Sequence, residues 1–386
     1  MAIPLKYNTG NLAARRVSML LTILGIGVIN AVMLSMLALW HGVKTTTVAS
    51  GSPTDLIVMR ESAETELSSW VARDKYEVLR TLPGILRNGA GQPLVSPELV
   101  ILFKLPRRDS GKGSNVLVRG ITEVGLEMRN VKLVEGRAFK PGTSEVIVAK
   151  RIRDRFASTS VGDTFHFGAT DYRVVGVFDA AGTAFDSEIW ADESFLAQSR
   201  KREAYSTVLV RPADTAAAKS VVDAVKNDNR LKLEVKTERK YYEEQTTGLF
   251  GIIFLVAVVT LFMVIGAVLG TMNTMFSAVS GRTRELGTMR ALGFKRRAIL
   301  LSVVIESALV SLLGGLAGVL LALPVNSIST GTTNFRTFSE IAFNFRVDGS
   351  VAMTGIVIAV VAGVVGGLLP AISAARMPIT KALREV

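Results

Sequence analysis

TTGLFGIIFLVAVVTLFMVIGAVLGTMNTMFSAVSG, Thr246 to Gly281, runs for 36 residues without a charged side chain. About 20 apolar residues in a helix cross the hydrocarbon core of a bilayer, so this stretch is a span that extends out of the core at one or both ends. Three further stretches meet the same test. Val17–Trp40 is charge-free over 24 residues, Gly349–Ala375 carries no charge, and Ala298–Leu323 carries one, Glu306. Residues 42–245, by contrast, have an ordinary soluble composition. The chain therefore reads as an α-helical membrane protein with four transmembrane helices plus an α+β extracytoplasmic domain between the first and second.

The expected order is an amphipathic cytoplasmic segment at 1–16, a first span at 17–41, and the extracytoplasmic domain with its stalk at 42–245. A second span at 246–280, a cytoplasmic helix at 281–297 and a third span at 298–323 follow. An extracytoplasmic loop at 324–348, a fourth span at 349–375 and a cytoplasmic tail at 376–386 complete it. The first apolar run exceeds the usual length of a signal-peptide core, roughly 7 to 15 residues, so an anchor that is retained is expected.

Short loops rich in Lys and Arg stay cytoplasmic. The N-terminal segment, the loop after the second span and the tail together hold 12 basic residues against two acids, Glu285 and Glu385. The large domain is nearly balanced, 31 basic against 28 acidic. Both termini should then face the cytoplasm and the domain should lie outside. The net charge of +12 reports this orientation and gives no reason to expect a nucleic-acid partner.

Within 42–245, strands are expected at Asp55–Met59, Leu99–Phe103, Val116–Arg119, Glu145–Val148, Tyr172–Phe178 and Ser206–Val210. Helices are expected at Glu64–Thr81, Lys150–Phe156, Glu193–Gln198 and Thr215–Asp228, and a charged stalk at Arg239–Glu244.

The chemical inventory is thin. Only His41 and His166 and no cysteine are present, too few for an ordinary zinc site, so no metal is expected. There is no Gly-x-Ser-x-Gly elbow and no P-loop, so neither catalytic residues nor a bound cofactor is expected, and ATP with its Mg would sit on a separate partner ATPase. Three polar residues lie inside spans: Glu306, Asn30 and Asn273. A buried carboxylate in a span faces the bundle interior, and no basic partner lies within the spans, which leaves coupling and interhelical bonding both open for Glu306. The two asparagines read as helix–helix hydrogen bonds.

The loop Gly281–Ala298 places Leu286, Met289 and Leu292 at helical spacing between basic flanks. One face of this short helix asks to be buried, in lipid headgroups or in a partner. Its run Arg282-x-Arg284-Glu285-Leu286-Gly287-x-Met289-Arg290-Ala291-Leu292-Gly293 resembles the loop motif of the MacB/FtsX-like permeases, membrane subunits of type VII ABC transporters. The resemblance continues at Glu306–Gly315, at Pro370–Arg384, at Asn11–Arg16, and in the domain at Glu145–Val148, Val161–Asp163 and Val174–Val177, so it covers essentially the whole length.

The resemblance implies a MacB-like periplasmic core domain, a homodimer in the bacterial inner (cytoplasmic) membrane, and an ABC ATPase subunit under each copy. It implies mechanotransmission: motion of the ATPase passes through long helices to the extracytoplasmic domain. Arg282, Arg284, Glu285, Leu286, Gly287, Met289, Arg290, Leu292 and Gly293 would then form the ATPase-coupling helix. A periplasmic membrane-fusion adaptor is the further partner. Efflux of a lipid-like, peptide or small hydrophobic substrate is the expected function. The alternatives are a non-transporting scaffold that regulates an extracytoplasmic cell-wall hydrolase, and lipoprotein extraction.

Overall fold

A computed structural model describes residues 16–129, 131–334 and 336–384; the segment expected at 1–15 lies outside the described residues. The chain divides into two compact units: Met1–Gly42, Gly251–Ile328 and Asn344–Val386 form one, Val43–Phe250 and Ser329–Phe343 the other.

Among the described residues of the first unit are α1 (Arg16–Val48, its last turn in the second unit), α2 (Phe250–Ser280), α3 (Thr283–Ala291), α4 (Arg296–Ala322), α5 (Gly349–Arg376) and α6 (Ile379–Arg384). Four of these, α1, α2, α4 and α5, are long and apolar enough to cross a membrane. Apolar side chains give no net drive for helix association in lipid, so packing depends on small residues that let backbones meet. A Cβ added to Gly363 would lie 1.9 Å from Ser311 Oγ, one at Gly367 2.2 Å from Ser307 Oγ, and one at Gly318 2.7 Å from Asn30 Cβ. Asp348 caps α5 by accepting from Ser350 N and Val351 N, and it meets His41 at 2.9 Å.

The second unit is built on a mixed sheet. Its strands are β1 (Leu56–Arg60), β2 (Val95–Pro106), β3 (Gly113–Ile121), β4 (Lys132–Gly136), β5 (Glu145–Ala149), β6 (Thr164–Phe167), β7 (Thr170–Asp179), β8 (Glu188–Asp192), β9 (Thr207–Val210) and β10 (Leu233–Thr237). They lie in the order β10-β1-β9-β2-β3-β8-β5-β7-β4, with β6 hairpinned on β7. The pairings β3·β8 and β5·β7 are parallel. Alternation along β1 shows why both faces are covered: Ile57 and Met59 enter one core with Phe103, Phe178 and Trp190, while Leu56 and Val58 enter another with Val221 and Val225 of the helix Thr215–Asn227.

Two sequence expectations are corrected. The stretch Glu64–Thr81 is not one helix but a 3-10 turn at Glu66–Ser68, a short strand at Val71–Ala72 and a helix at Arg73–Leu79. Thr65 and Ser68 cap each other around the turn, and Glu66 is drawn into the interior by an arginine described below. The segment Arg239–Glu244 is helical, within Glu238–Gln245, but Tyr241 and Tyr242 are buried in the domain core, so it is no free stalk. A 3-10 turn at Thr246–Leu249 separates it from α2.

Candidate functional site

Helix α3 is stopped at its C-terminal end by its own backbone and held on one side by its neighbours. Phe294 N donates to Met289 O at 3.1 Å and Gly293 N to Arg290 O at 3.1 Å, with Gly293 at φ +92°, a Schellman stop that a side-chain-bearing residue would strain. Leu286 is buried against Met275, Val279, Ile299, Val303, Ala371 and Ala374, so three long helices hold it. Gly287 faces α6: a Cβ there would lie 2.6 Å from that of Ala382.

Arg282 stands one residue before α3. Its Nε donates to Ala278 O at 3.2 Å and its Nη2 to Glu306 Oε2 at 2.7 Å. Both side chains are buried. Glu306 sits ten residues into α4, roughly 15 Å along the helix. A charge so placed needs an opposite charge with good hydrogen bonds, and Arg282 supplies it. The sequence offers Glu306 no basic partner within the spans; Arg282 comes instead from the loop, 24 residues upstream.

The expected docking face is therefore redistributed. Arg282, Leu286 and Gly287 are spent on contacts within the chain, and Met289 is half-buried against the same cluster. Arg284, Glu285, Thr288 and Leu292 are exposed, Leu292 at 71 %, with Lys295, Arg296 and Arg297 exposed beyond it. Arg284, Thr288 and Leu292 recur at four-residue spacing and so share one face. Arg290 is half-buried.

Of the two asparagines, Asn30 makes the interhelical bond: its Nδ2 donates to Gly315 O at 3.0 Å. Asn273 makes none among the described residues; it is exposed on α2 and lines a cleft of about 360 Å³ beside α1 with Thr22, Thr274 and Ser277.

Sequence reasoning missed a buried charge network in the second unit. Arg119 of β3 donates to Glu188 at 2.8 Å, Glu66 at 2.7 Å and Glu98 at 2.7 Å. Arg129 donates to Glu98 at 2.7 Å and to Glu238 at 2.9 Å. Burial works against the Glu98 charge, but Arg129 and Arg119 outweigh it and hold the carboxyl below its usual range. Glu238 goes the other way, pushed up by burial that Arg129 only partly offsets. The one signal in the sequence was a lone Arg119 inside the otherwise apolar run Val116–Ile121.

The descriptions that match the chain divide it at the second span. Residues 19–228 match the MacB-like periplasmic core domain and residues 249–379 the FtsX-like permease C-terminal domain. This chain is a MacB/FtsX-like permease. Among similar proteins, the macrolide export ATP-binding/permease protein MacB of Sodalis glossinidius is 30% identical over 320 residues, 75% of this chain and 46% of the relative. MacB of Pasteurella multocida is 26% identical over 396 residues, 96% of this chain and 58% of the relative. The permease thus spans about half the length of the curated relatives it matches. Among solved structures, the periplasmic region of MacB from Actinobacillus actinomycetemcomitans is 16% identical and covers 50% of this chain and 92% of its own, with a TM-score of 0.39. The extracellular domain of YknZ from Gram-positive bacteria is 18% identical and covers 47% and 99%, with a TM-score of 0.37. Membership and the apolar helices make it a membrane protein of the type VII ABC transporter family with an extracytoplasmic domain.

Proposed function

We propose that this permease works as a homodimer with a separate ABC ATPase and passes the ATPase's motion across the inner membrane to its extracytoplasmic domain, for efflux of a lipid-like, peptide or small hydrophobic substrate. Both termini and α3 lie in the cytoplasm in this reading, and ATP with Mg stays on the ATPase.

The observation that carries it is the division of labour on α3. The exposed face Arg284, Glu285, Thr288 and Leu292 is what a partner would grip, and an exposed leucine at the end of a charged helix suits an apolar groove. Leu286 and the Arg282–Glu306 pair hold the helix to α2, α4 and α5, so a push on the exposed face moves the long helices and not a loose loop. α1 continues unbroken from Arg16 to Val48, which suits the same transmission.

The test is co-purification of the detergent-solubilised chain with a co-expressed candidate ABC ATPase. Wild type should yield a stable complex with stimulated ATP hydrolysis, and Leu292→Asp should lose it while keeping its thermal stability. A complex unaffected by Leu292→Asp and by Arg284→Glu would reject α3 as the coupling element.

A further inference from the structure

Strand β2 has an open edge whose position can be derived bond by bond. Arg107 N donates to Lys112 O at 3.0 Å, which extends the β2–β3 register by one pair and makes the odd-numbered residues of β2 the ones bonded to β3. The even-numbered residues then direct their N–H and C=O outward. Glu98 O accepts from Ser206 N at 2.8 Å, Val100 N donates to Ser206 Oγ at 3.0 Å, and Pro106 O accepts from Ala157 N at 2.9 Å. Among the described residues, Leu102 and Lys104 have no such partner. Their two N–H and two C=O groups form a window in the edge, closed by Ser206 on one side and Ala157 on the other.

A cleft of about 410 Å³ runs beside this window, lined by Val100, Ile101, Leu102, Leu67, Phe167, Arg200 and Arg202. No lining residue is acidic. Arg200 lies over the Phe167 ring at 3.8 Å and donates from Nη2 to Phe167 O, yet among the described residues its buried Nε has no partner. Arg202 and Lys104 are exposed. Unpaired edges invite another strand, and the usual protections are a covering element, a bulge or charge. Here the charge present is of one sign, which repels a basic strand and attracts an acidic one.

We infer that the window at Leu102 and Lys104 is a docking site for an extended acidic peptide segment of an extracytoplasmic partner. The segment adds as a short strand to β2, places apolar side chains in the cleft beside Leu67 and Phe167, and sets a carboxylate against Arg202. Strand addition of this kind draws affinity from main-chain hydrogen bonds and specificity from alternate side chains. It depends neither on α3 nor on an ATPase, so it stands or falls apart from the function proposed above.

The probe is a fluorescein-labelled peptide, Val-Asp-Val-Glu-Val, titrated with the full chain in detergent and followed by anisotropy. Two N-methylated versions block its odd or its even amides, and a third carries Lys in place of the acids. Saturable binding of the acidic peptide is expected, weakened at least tenfold by one N-methylation set and not the other. Arg202→Glu should weaken the acidic peptide at least tenfold and bind the Lys version instead. No binding of the unmodified peptide, or equal binding of both N-methylated sets, overturns strand addition. Binding unchanged in Arg202→Glu overturns the acidic preference.

Discussion

Arg282 Nη2 donates a 2.7 Å hydrogen bond to Glu306 Oε2, and through it the start of α3 is tied to the middle of α4. Each partner alone would be a buried charge in a low-dielectric bundle, so the two are worth keeping only together. Removing one should cost about 3–5 kcal/mol, because the other charge is left uncompensated. Arg282→Gln and Glu306→Gln should each lower the Tm of the detergent-solubilised chain by several degrees. The double variant should fall short of the summed loss by at least about 1 kcal/mol, as residues in one ion pair do not behave additively. Additive losses would show that the pair does not act as a unit.

Leu286 of α3 and Leu292 at its C-cap lie six residues apart and should respond in opposite ways. Leu286→Ala empties a cluster shared by α2, α4 and α5 and should cost about 2–5 kcal/mol. Leu292→Ala removes a side chain that is 71 % exposed and should leave thermal stability within about 0.5 kcal/mol. Thermal unfolding of both variants checks this, and a large loss in Leu292→Ala would mean the leucine is covered by the chain itself.

Arg119 donates to three buried carboxylates, and no other arginine reaches Glu66 or Glu188 among the described bonds. Arg119→Ala should therefore destabilise the extracytoplasmic domain by more than about 4 kcal/mol. Limited proteolysis of the purified chain would show cleavage within 43–250 while the apolar helices stay intact.

Glu193 supplies a pH dependence. Burial pushes its carboxyl up to about 7 from 4.5, with Arg73 opposing and Asp192 adding to the rise. A carboxyl raised on folding adds stability that is fully present below about 4.5 and lost as pH climbs through about 7. Glu193→Gln should match wild type at pH 4.5, become the more stable by roughly 1–3 kcal/mol at pH 8, and flatten the change between them. The thermal transition of the full chain, followed by tryptophan fluorescence, reads this directly. A wild-type curve that gains stability from pH 5 to pH 8 relative to Glu193→Gln would contradict the assignment.

Much of the fold was legible because a charge-free run of span length has one outcome in lipid, Glu145–Ala149 is a short β-branched apolar run, and Thr215–Asn227 carries the helical period openly. The strands at Lys132–Gly136 and Glu188–Asp192 were not, for opposite reasons. The first is exposed at every position and shows no alternation, and the second is buried at every position while beginning and ending with an acid. Glu188 makes sense only once Arg119 faces it, a contact between residues far apart in sequence, while Asp192 caps the next helix by accepting from Phe195 N. The site shows the same limit. The apolar spacing of Leu286, Met289 and Leu292 was visible, but which of them the chain itself buries depended on helices near 275, 303 and 374. Glu306 was visible as a buried charge, and its partner was not, because Arg282 belongs to the loop that seemed free for another subunit.

The central claim is that the exposed face of α3 meets an ATPase in the cytoplasm, and the absence of cysteine from the chain makes one measurement clean. Leu292→Cys and, as a control, Trp70→Cys in the extracytoplasmic domain would each be labelled with a photoactivatable benzophenone maleimide in membranes that contain the co-expressed ATPase. The account predicts that the probe at 292 crosslinks to the ATPase, more strongly with ATP than without, and that the probe at 70 never does. Crosslinks from 292 confined to lipid, or labelling of 292 by a membrane-impermeant maleimide added outside intact spheroplasts, would contradict it.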